Sequence, residues 1–240
     1  MCTVVVLVQP THRFPLQLVA NRDERIDRPW DPPGAYWPTH PDIVAGRDRS
    51  AGGTWMGMNR AGVVATILNR AGTLGPVLGK RSRGELPLLA LRHRSADAAA
   101  AAITHIDAGA WRDFNMVIAD RHGALFVRGL GAGHPTAEAL PPGVSMVTAY
   151  DPNDPASPRV ARHLPRLRAT PPDGPAHWEG WRSILADRSG SVGEQINVPP
   201  RGGFGTVSGS FIAIPAAGAP TWLFAAGPPD RAPFVPVPLA

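Results

Sequence analysis

The sequence predicts an α+β fold in which two antiparallel sheets carry helices on their outer faces, as a single domain spanning residues 1–240. Three observations point there. Short β-branched runs joined by tight turns come first and last along the chain. Pairs of helical segments fall between them. No internal repeat or linker divides the chain, and the Pro171–Pro175 stretch reads as a loop rather than a boundary.

Thr3–Val8 is a β-branched run and reads as a buried strand. The polar turn Gln9–Pro15 leads into a second strand, Leu16–Ala20, and together they make a hairpin that places Cys2 at a strand start. Asn21–Arg28 is polar and runs into a Pro-rich loop, Pro29–Pro41, holding Trp30 and Trp37. Gly53–Met58 and Gly62–Leu68 read as strands joined by the turn Asn59–Ala61. Ser82, with Glu85 three residues on, reads as the capping box of a helix reaching His93, its start distorted by Pro87. Ser95 and Asp97 open a second helix through the alanines to Ile106. Phe114–Ala119 and Ala124–Gly129 form a hairpin, and Val144–Ala149 is a further strand. Arg159–Arg168 reads as a helix interrupted by Pro165, and Trp178–Asp187 as a short helix. Thr206–Ile214 and Thr221–Ala225 form a late hairpin before an extended Pro-rich tail.

Composition narrows the function. With 43% apolar residues a sizeable core can form without disulfides. Cys2 is the only cysteine, which excludes an internal disulfide framework and a cysteine-based zinc site. The start MCTVVVLVQP has no basic n-region, and no apolar stretch approaches a membrane span, so a cytoplasmic protein is expected. The net charge is +5, and every cation except Lys80 is arginine. These arginines are dispersed, without a basic block or interleaved aromatic platforms, which argues against nucleic acid and for a locally positive pocket. The histidines show no ligand spacing, so no metal site is expected. Gly129–Gly133 lacks the glycine spacing and context of a dinucleotide loop. A homodimer is left open.

The most informative residue is Cys2. Met1 is normally trimmed before a small second residue, which would leave a thiol and a free α-amine on one residue. The thiol is then a nucleophile and the amine a local base, with a reference pKa of about 7.7–8.0. If Met1 stays, the amine becomes a peptide nitrogen and the base is lost. Polar residues also gather at Asn21–Glu24, at Gly57–Gly62 leading to Leu68–Arg70, and at Gly205–Ser210.

The words MCTVV, ANRDE, DRPWDPP, AGRDRSAGGTWMGMN, GVVATILNR and GKRSRGELPLL cover the first third of the chain almost continuously, and SPRVAR and GTVSGS extend the pattern. Together they resemble the NRDE family, also called the transport and Golgi organisation family. That family is assigned to the N-terminal nucleophile hydrolase superfamily, so the resemblance implies a four-layer αββα sandwich. Superfamily members nearest in pattern, the penicillin V acylases and bile-salt hydrolases, begin with a catalytic cysteine exposed by processing. They carry Arg and Asp after the second strand and an oxyanion Asn after the turn GMN-x-x-G, which corresponds to Asn69 here.

The resemblance implies a catalytic set of Cys2, Arg22, Asp23 and Asn69. Cys2 would attack an amide carbonyl, Asp23 would orient the amine, Arg22 would favour the thiolate, and Asn69 would donate to the oxyanion. Asn21, Arg47, Trp55, Arg70 and Ser208 are candidate substrate-binding residues. Each has a structural alternative: Arg22 with Asp23 as a surface ion pair, Asn69 as a turn cap, Arg47 with Asp48 as a solvated loop pair, Trp55 as core, and Ser208 with Ser210 facing water. Asn59 reads as a hairpin residue. Two departures stand out. Ala149 occupies the place of a second oxyanion Asn, for which Tyr150 or Asn153 would have to substitute. Gly209 replaces a serine, shortening the polar lining. The expected reaction is hydrolysis of an N-acyl amide without a cofactor. The rival is a non-catalytic carrier of haem or a hydrophobic metabolite, with Trp30, Trp37 and Trp55 lining a cleft and Arg22, Arg47 or Arg70 pairing carboxylates.

Overall fold

The computed structural model describes residues 2–239. In chain order the strands of the first half are β1 (Thr3–Val8), β2 (Leu16–Arg25), β3 (Trp30–Gly34), β4 (Ile43–Asp48), β5 (Met56–Asn59) and β6 (Val64–Asn69). Helices α1 (Glu85–Ala90) and α2 (Ala96–Thr104) follow, then β7 (Phe114–Asp120), β8 (Gly123–Gly129), β9 (Thr136–Ala139) and β10 (Gly143–Val147). Helices α3 (Pro158–Ala169) and α4 (Glu179–Leu185) precede β11 (Phe204–Ile214), β12 (Thr221–Ala225) and β13 (Val235–Pro236). The expected α+β arrangement of antiparallel sheets with paired helices holds. The chain parts into two compact units, and among the described residues no helix is long and apolar enough to cross a membrane.

The first unit comprises Met1–Asp27 and Pro141–Val237. Its six-stranded sheet has the order β10-β1-β2-β11-β12-β13, antiparallel throughout. The run TVVVLV of β1 is buried along its whole length, as a central strand of β-branched residues should be. Alternation sends Val5, Leu7, Val19 and Phe211 to one face, where Val160, Leu164 and Leu167 of α3 and Trp181 and Ile184 of α4 complete a core. Ser157 caps α3 by accepting from the Val160 amide, and Pro158 occupies the first turn, where a missing N–H costs nothing. Pro165 does not interrupt α3, which runs on to Ala169.

The second unit comprises Arg28–Leu140 with Pro238–Ala240. Its seven-stranded sheet runs β3-β4-β5-β6-β7-β8-β9, a meander in chain order with α1 and α2 inserted between β6 and β7. Leu86 and Ala90 of α1 and Ala99, Ala100 and Ile103 of α2 pack with Ala45, Ala65, Phe114, Met116 and Ile118. Small residues on both layers allow close approach. A Cβ placed on Gly57 would lie 2.6 Å from the Ala45 methyl and 2.7 Å from Leu91.

Several boundaries differ from the sequence reading. β2 continues five residues past Ala20 because β11 pairs with the polar part as well, from Arg25 opposite Phe204 to Asn21 opposite Gly209. The Pro-rich loop contains β3, whose Pro32 and Pro33 are tolerated at a sheet edge. Strands β4 and β9 were not anticipated. The capping box at Ser82 does not form: α1 starts at Glu85 after Gly84 with no side-chain cap, and Glu85 pairs instead with Arg81.

His163 of α3 is fully buried. Arg166 lies 3.1 Å from Nδ1 and has only protons to give, so Nδ1 accepts and Nε2–H donates to the Glu194 carbonyl at 2.8 Å. Burial pushes the ring's pKa below its ordinary value, outweighing the hydrogen bond to Glu194. The unfolded chain therefore takes up this proton first, at about pH 6.5. Stability carried by neutral His163 is complete above that pH and declines as pH falls through the lowered folded value. Urea melts between pH 7.5 and 5 are expected to show this loss, and His163→Asn to flatten that part of the profile.

Candidate active site

Cys2 lies immediately before β1 in the first unit, and its thiol donates to the Asp23 carbonyl at 3.4 Å. The register sets this contact, because Thr3 pairs with Asn21 and carries Cys2 alongside the next residues of β2. Burial raises the thiol pKa, and the Asp23 charge adds to that. The hydrogen bond to Asp23 and the charge of Arg22 act in the opposite direction.

Alternation along β2 divides its polar residues. Asn21 and Asp23 share the face of Val19, toward α3 and α4. The Asn21 amide donates to the carbonyls of Leu185 at 2.8 Å and Ile196 at 2.9 Å, tying the end of α4 and the following segment to the sheet. Asp23 has a fully buried side chain. Its Oδ1 accepts from the Thr206 hydroxyl at 2.6 Å and its Oδ2 from Arg159 Nη1 at 3.0 Å. The same Arg159 nitrogen donates to Thr3 Oγ1 at 2.9 Å. Arg22 falls on the opposite face, 6% exposed, with its guanidinium 3.6 Å from Glu24. Ser208, 1% exposed, pairs with Arg22 across β11. The surface ion-pair alternative for Arg22 and Asp23 is therefore excluded by burial, as is the alternative of Ser208 and Ser210 facing water.

The first unit thus brings Cys2, Arg22, Asp23 and Ser208 to one end of its sheet and adds Arg159, Thr206 and Thr3, which sequence reading did not single out. A signal for Arg159 existed. It falls on the same stripe of α3 as Val160, His163, Leu164 and Leu167, so the helical period already placed it among buried residues.

The remaining candidates belong to the second unit. Asn69 ends β6, half-buried opposite Phe114. Arg70 donates to Asn115 Oδ1 at 2.5 Å. Arg47 pairs with Asp31 at 2.7 Å and lies over the Tyr36 ring at 4.4 Å, while Asp48 pairs with Arg28 at 2.6 Å. Arg47 and Asp48 are thus strand residues with separate partners, not a solvated loop pair. Trp55 meets Trp30 edge-to-face at 5.7 Å. Asn59 holds its hairpin, accepting from the Val63 amide and donating to the carbonyls of Leu91 and His93.

Both departures have a structural content. Asn153, the only non-glycine residue with positive φ among those described, accepts from the Met146 amide at 2.8 Å and donates to Ser145 Oγ at 3.3 Å. Its side chain thus holds the end of β10. Gly209 does not shorten the lining formed by Ser208 and Ser210, because it faces the other way. A Cβ there would lie 3.0 Å from the Phe234 ring, which packs on Phe211.

One chemical consequence is directly measurable. Alkylation of the single cysteine by iodoacetamide is expected to have a pH midpoint above the ordinary thiol value of about 8.5. In urea the midpoint should return to that value, and equal midpoints in the two conditions would contradict the burial effect.

Solved structures share this fold. An N-acylethanolamine-hydrolyzing acid amidase ortholog from Caenorhabditis elegans superposes with a TM-score of 0.61 at 10% identity, over 88% of this chain and 92% of that one. Penicillin V acylase from Agrobacterium tumefaciens gives 0.59 at 15% identity, over 94% and 83%. A mutant conjugated bile acid hydrolase from Clostridium perfringens gives 0.52 at 10% identity, over 100% and 97%. At these identities the likeness shows the fold alone, that of the N-terminal nucleophile hydrolases. No curated protein sequence gives a significant match. The Transport and Golgi organisation 2 family matches residues 1–162, and the chain belongs to that family.

Proposed function

We propose that the protein is a cysteine N-terminal nucleophile hydrolase that cleaves the C–N bond of an N-acyl amide through an acyl-enzyme on Cys2. The observation that supports this most is the placement of the only cysteine against the Asp23 carbonyl, with buried Arg22 and Asp23 at the same sheet end. Met1 lies outside the described residues, and its removal is part of the proposal. The freed α-amine of Cys2 takes the thiol proton as sulfur attacks the amide carbonyl carbon. The same proton passes to the leaving nitrogen as the C–N bond breaks, leaving a thioester. Water then attacks the thioester, its proton going to the amine and then to sulfur, and the carboxylic acid departs. Arg22 offsets part of the burial that disfavours the thiolate.

Turnover of a panel of N-acyl amides tests this reading. The processed protein is expected to hydrolyse members of one acyl class, and Cys2→Ala to lower that rate by roughly 10³-fold or more. Undiminished turnover by Cys2→Ala would exclude the mechanism.

A second reading, carriage of a hydrophobic metabolite, is favoured by a cavity of about 410 Å³ within the second unit. Trp37, Ile43, Leu88, Leu89, Ile106 and Trp111 form its apolar walls, with Arg81 and Arg92 also lining it. The groups expected to hold haem do not gather there. Of Trp30, Trp37 and Trp55 only Trp37 lines the cavity, while Arg47 is paired with Asp31 and Arg70 with Asn115. The ligand of this reading is a smaller apolar molecule. Titration with decanoate is expected to quench tryptophan fluorescence with one-to-one stoichiometry, and Leu89→Asp to weaken binding about tenfold. Equal binding by that variant would remove the cavity from consideration.

A further inference from the structure

Exposed large apolar side chains are normally scattered singly over a soluble protein. Among the described residues there are seven, and three of them fall within five residues of one loop: Leu74 at 52% exposure, Val77 at 46% and Leu78 at 102%. The other four, Ile26, Leu130, Val192 and Val235, lie apart along the chain. The loop joins β6 to α1, and its residues 71–79 carry no charge, while Arg70 and Lys80 flank them. Its polar backbone is bound inward while these apolar side chains stand in solvent. Arg112 donates to the carbonyls of Gly72, Leu74 and Gly75 at 3.2, 2.5 and 3.0 Å. The Thr73 hydroxyl donates to the Arg70 carbonyl at 2.8 Å, and Arg83 donates to Thr73 Oγ1 at 3.0 Å. Lys80 donates to the Gly109 carbonyl. Gly75 and Gly79 both take φ of +79°, so the chain turns on either side of Val77 and Leu78. Because these carbonyls already have donors, the tip can leave water without stranding them.

We propose that this loop is a membrane-docking element: Leu74, Val77 and Leu78 enter the headgroup and outer acyl region of an anionic lipid surface, and the cations at the loop base face the lipid charge. An apolar tip on a cationic base matches a surface that is negative outside and apolar beneath. The loop and the segment that braces it, residues 70–85 and 107–113, carry five cations, Arg70, Lys80, Arg81, Arg83 and Arg112, against three acids, Glu85, Asp107 and Asp113. Glu85 is already paired with Arg81, and Asp107 accepts from the Gly109 amide. Donation to carbonyls leaves the charges of Arg112 and Lys80 in place, and Lys80 and Arg81 are exposed. Arg81 also lines the apolar cavity of the second unit, so docking brings that cavity near a source of apolar ligand. The proposal itself rests on neither functional reading.

The test is cosedimentation of the full chain with vesicles of phosphatidylcholine alone and of equal parts phosphatidylcholine and phosphatidylserine. The parent is expected to bind the mixed vesicles about tenfold or more tighter than the neutral ones, and to weaken between about 0.15 M and about 1 M salt. The double variant Val77→Ser with Leu78→Ser is expected to lose about tenfold or more in binding to mixed vesicles, and Lys80→Gln about fivefold. Leu130→Ser removes an exposed apolar side chain elsewhere and is expected to bind as the parent does. Melting temperatures are expected to stay at the parent value, because the substituted side chains are exposed. If the double variant melts early, Leu78→Ser alone decides the question. The net charge of +5 makes plain adsorption the rival. Parent-like binding by the serine variants would show adsorption by charge alone and overturn the proposal. A parent that binds neither vesicle, or both equally, would overturn it as well. Sedimentation velocity without lipid adds the last outcome: a dimer that the parent forms and the serine variants do not would overturn the proposal and assign the tip to a second copy of the chain.

Discussion

The buried pair of Arg159 with Asp23 is the constraint on which the first unit turns. Two charges with nearly complete burial are favourable only when each finds close partners. Here the partners come from four elements: Asp23 from β2, Thr3 from β1, Thr206 from β11 and Arg159 from α3. Removing one member of such a pair costs about 3–5 kcal/mol, because the other is left charged and buried. The pair therefore couples the docking of α3 to the register of β1, β2 and β11. Cys2 inherits its position from that coupling through Thr3 and the Asp23 carbonyl.

The second half of β2 shows what the pair makes tolerable. A strand buried on both faces ordinarily carries apolar residues on both. Asn21, Arg22 and Asp23 replace them, all buried, and opposite them β11 offers Thr206, Ser208 and Gly209. Gly209 leaves room for Phe234 on the face where Asn21 ties down α4. Arg22 and Ser208 occupy the other face. A buried polar stretch of this kind contradicts local strand preference, and sites of that sort mark where function rather than stability chose the residues. The second unit differs in this respect. Its arginines are locked into separate contacts, Arg47 with Asp31 and Arg70 with Asn115, and Asn59 acts as a hairpin brace.

Much of the fold was legible because the strong signals are local. The β-branched run of β1, the hairpin of β7 with β8 and the late pair β11 with β12 follow from alternation and turn residues alone. Asn59 was readable as a hairpin residue for the same reason. The parts that were missed depend on partners distant in sequence. Strands β4 and β9 are short and carry glycine, charge or exposed residues, so only pairing reveals them. β2 looked finished at Ala20 because nothing in Asn21–Arg25 indicates the polar face of β11 waiting opposite. Ser82 with Glu85 had the spacing of a capping box, but Arg81 four residues before Glu85 competed for its carboxylate. At the candidate site, polar residue type and the family resemblance together drew attention to Cys2, Arg22 and Asp23. They did not reveal that Asn21 braces the chain or that Arg159, far along the sequence, holds Asp23, since hydrogen-bond partners across more than a hundred residues leave no local trace.

The central claim is that Cys2 forms a covalent acyl intermediate from the chain's own amino terminus. Its most direct test is the intact mass of the protein from its own host, before and after rapid acid quench with an N-acyl amide. The account predicts a mass lacking one methionine and a quenched species heavier by the acyl group, mapped to Cys2. A chain that retains Met1 and gains no acyl mass would contradict it.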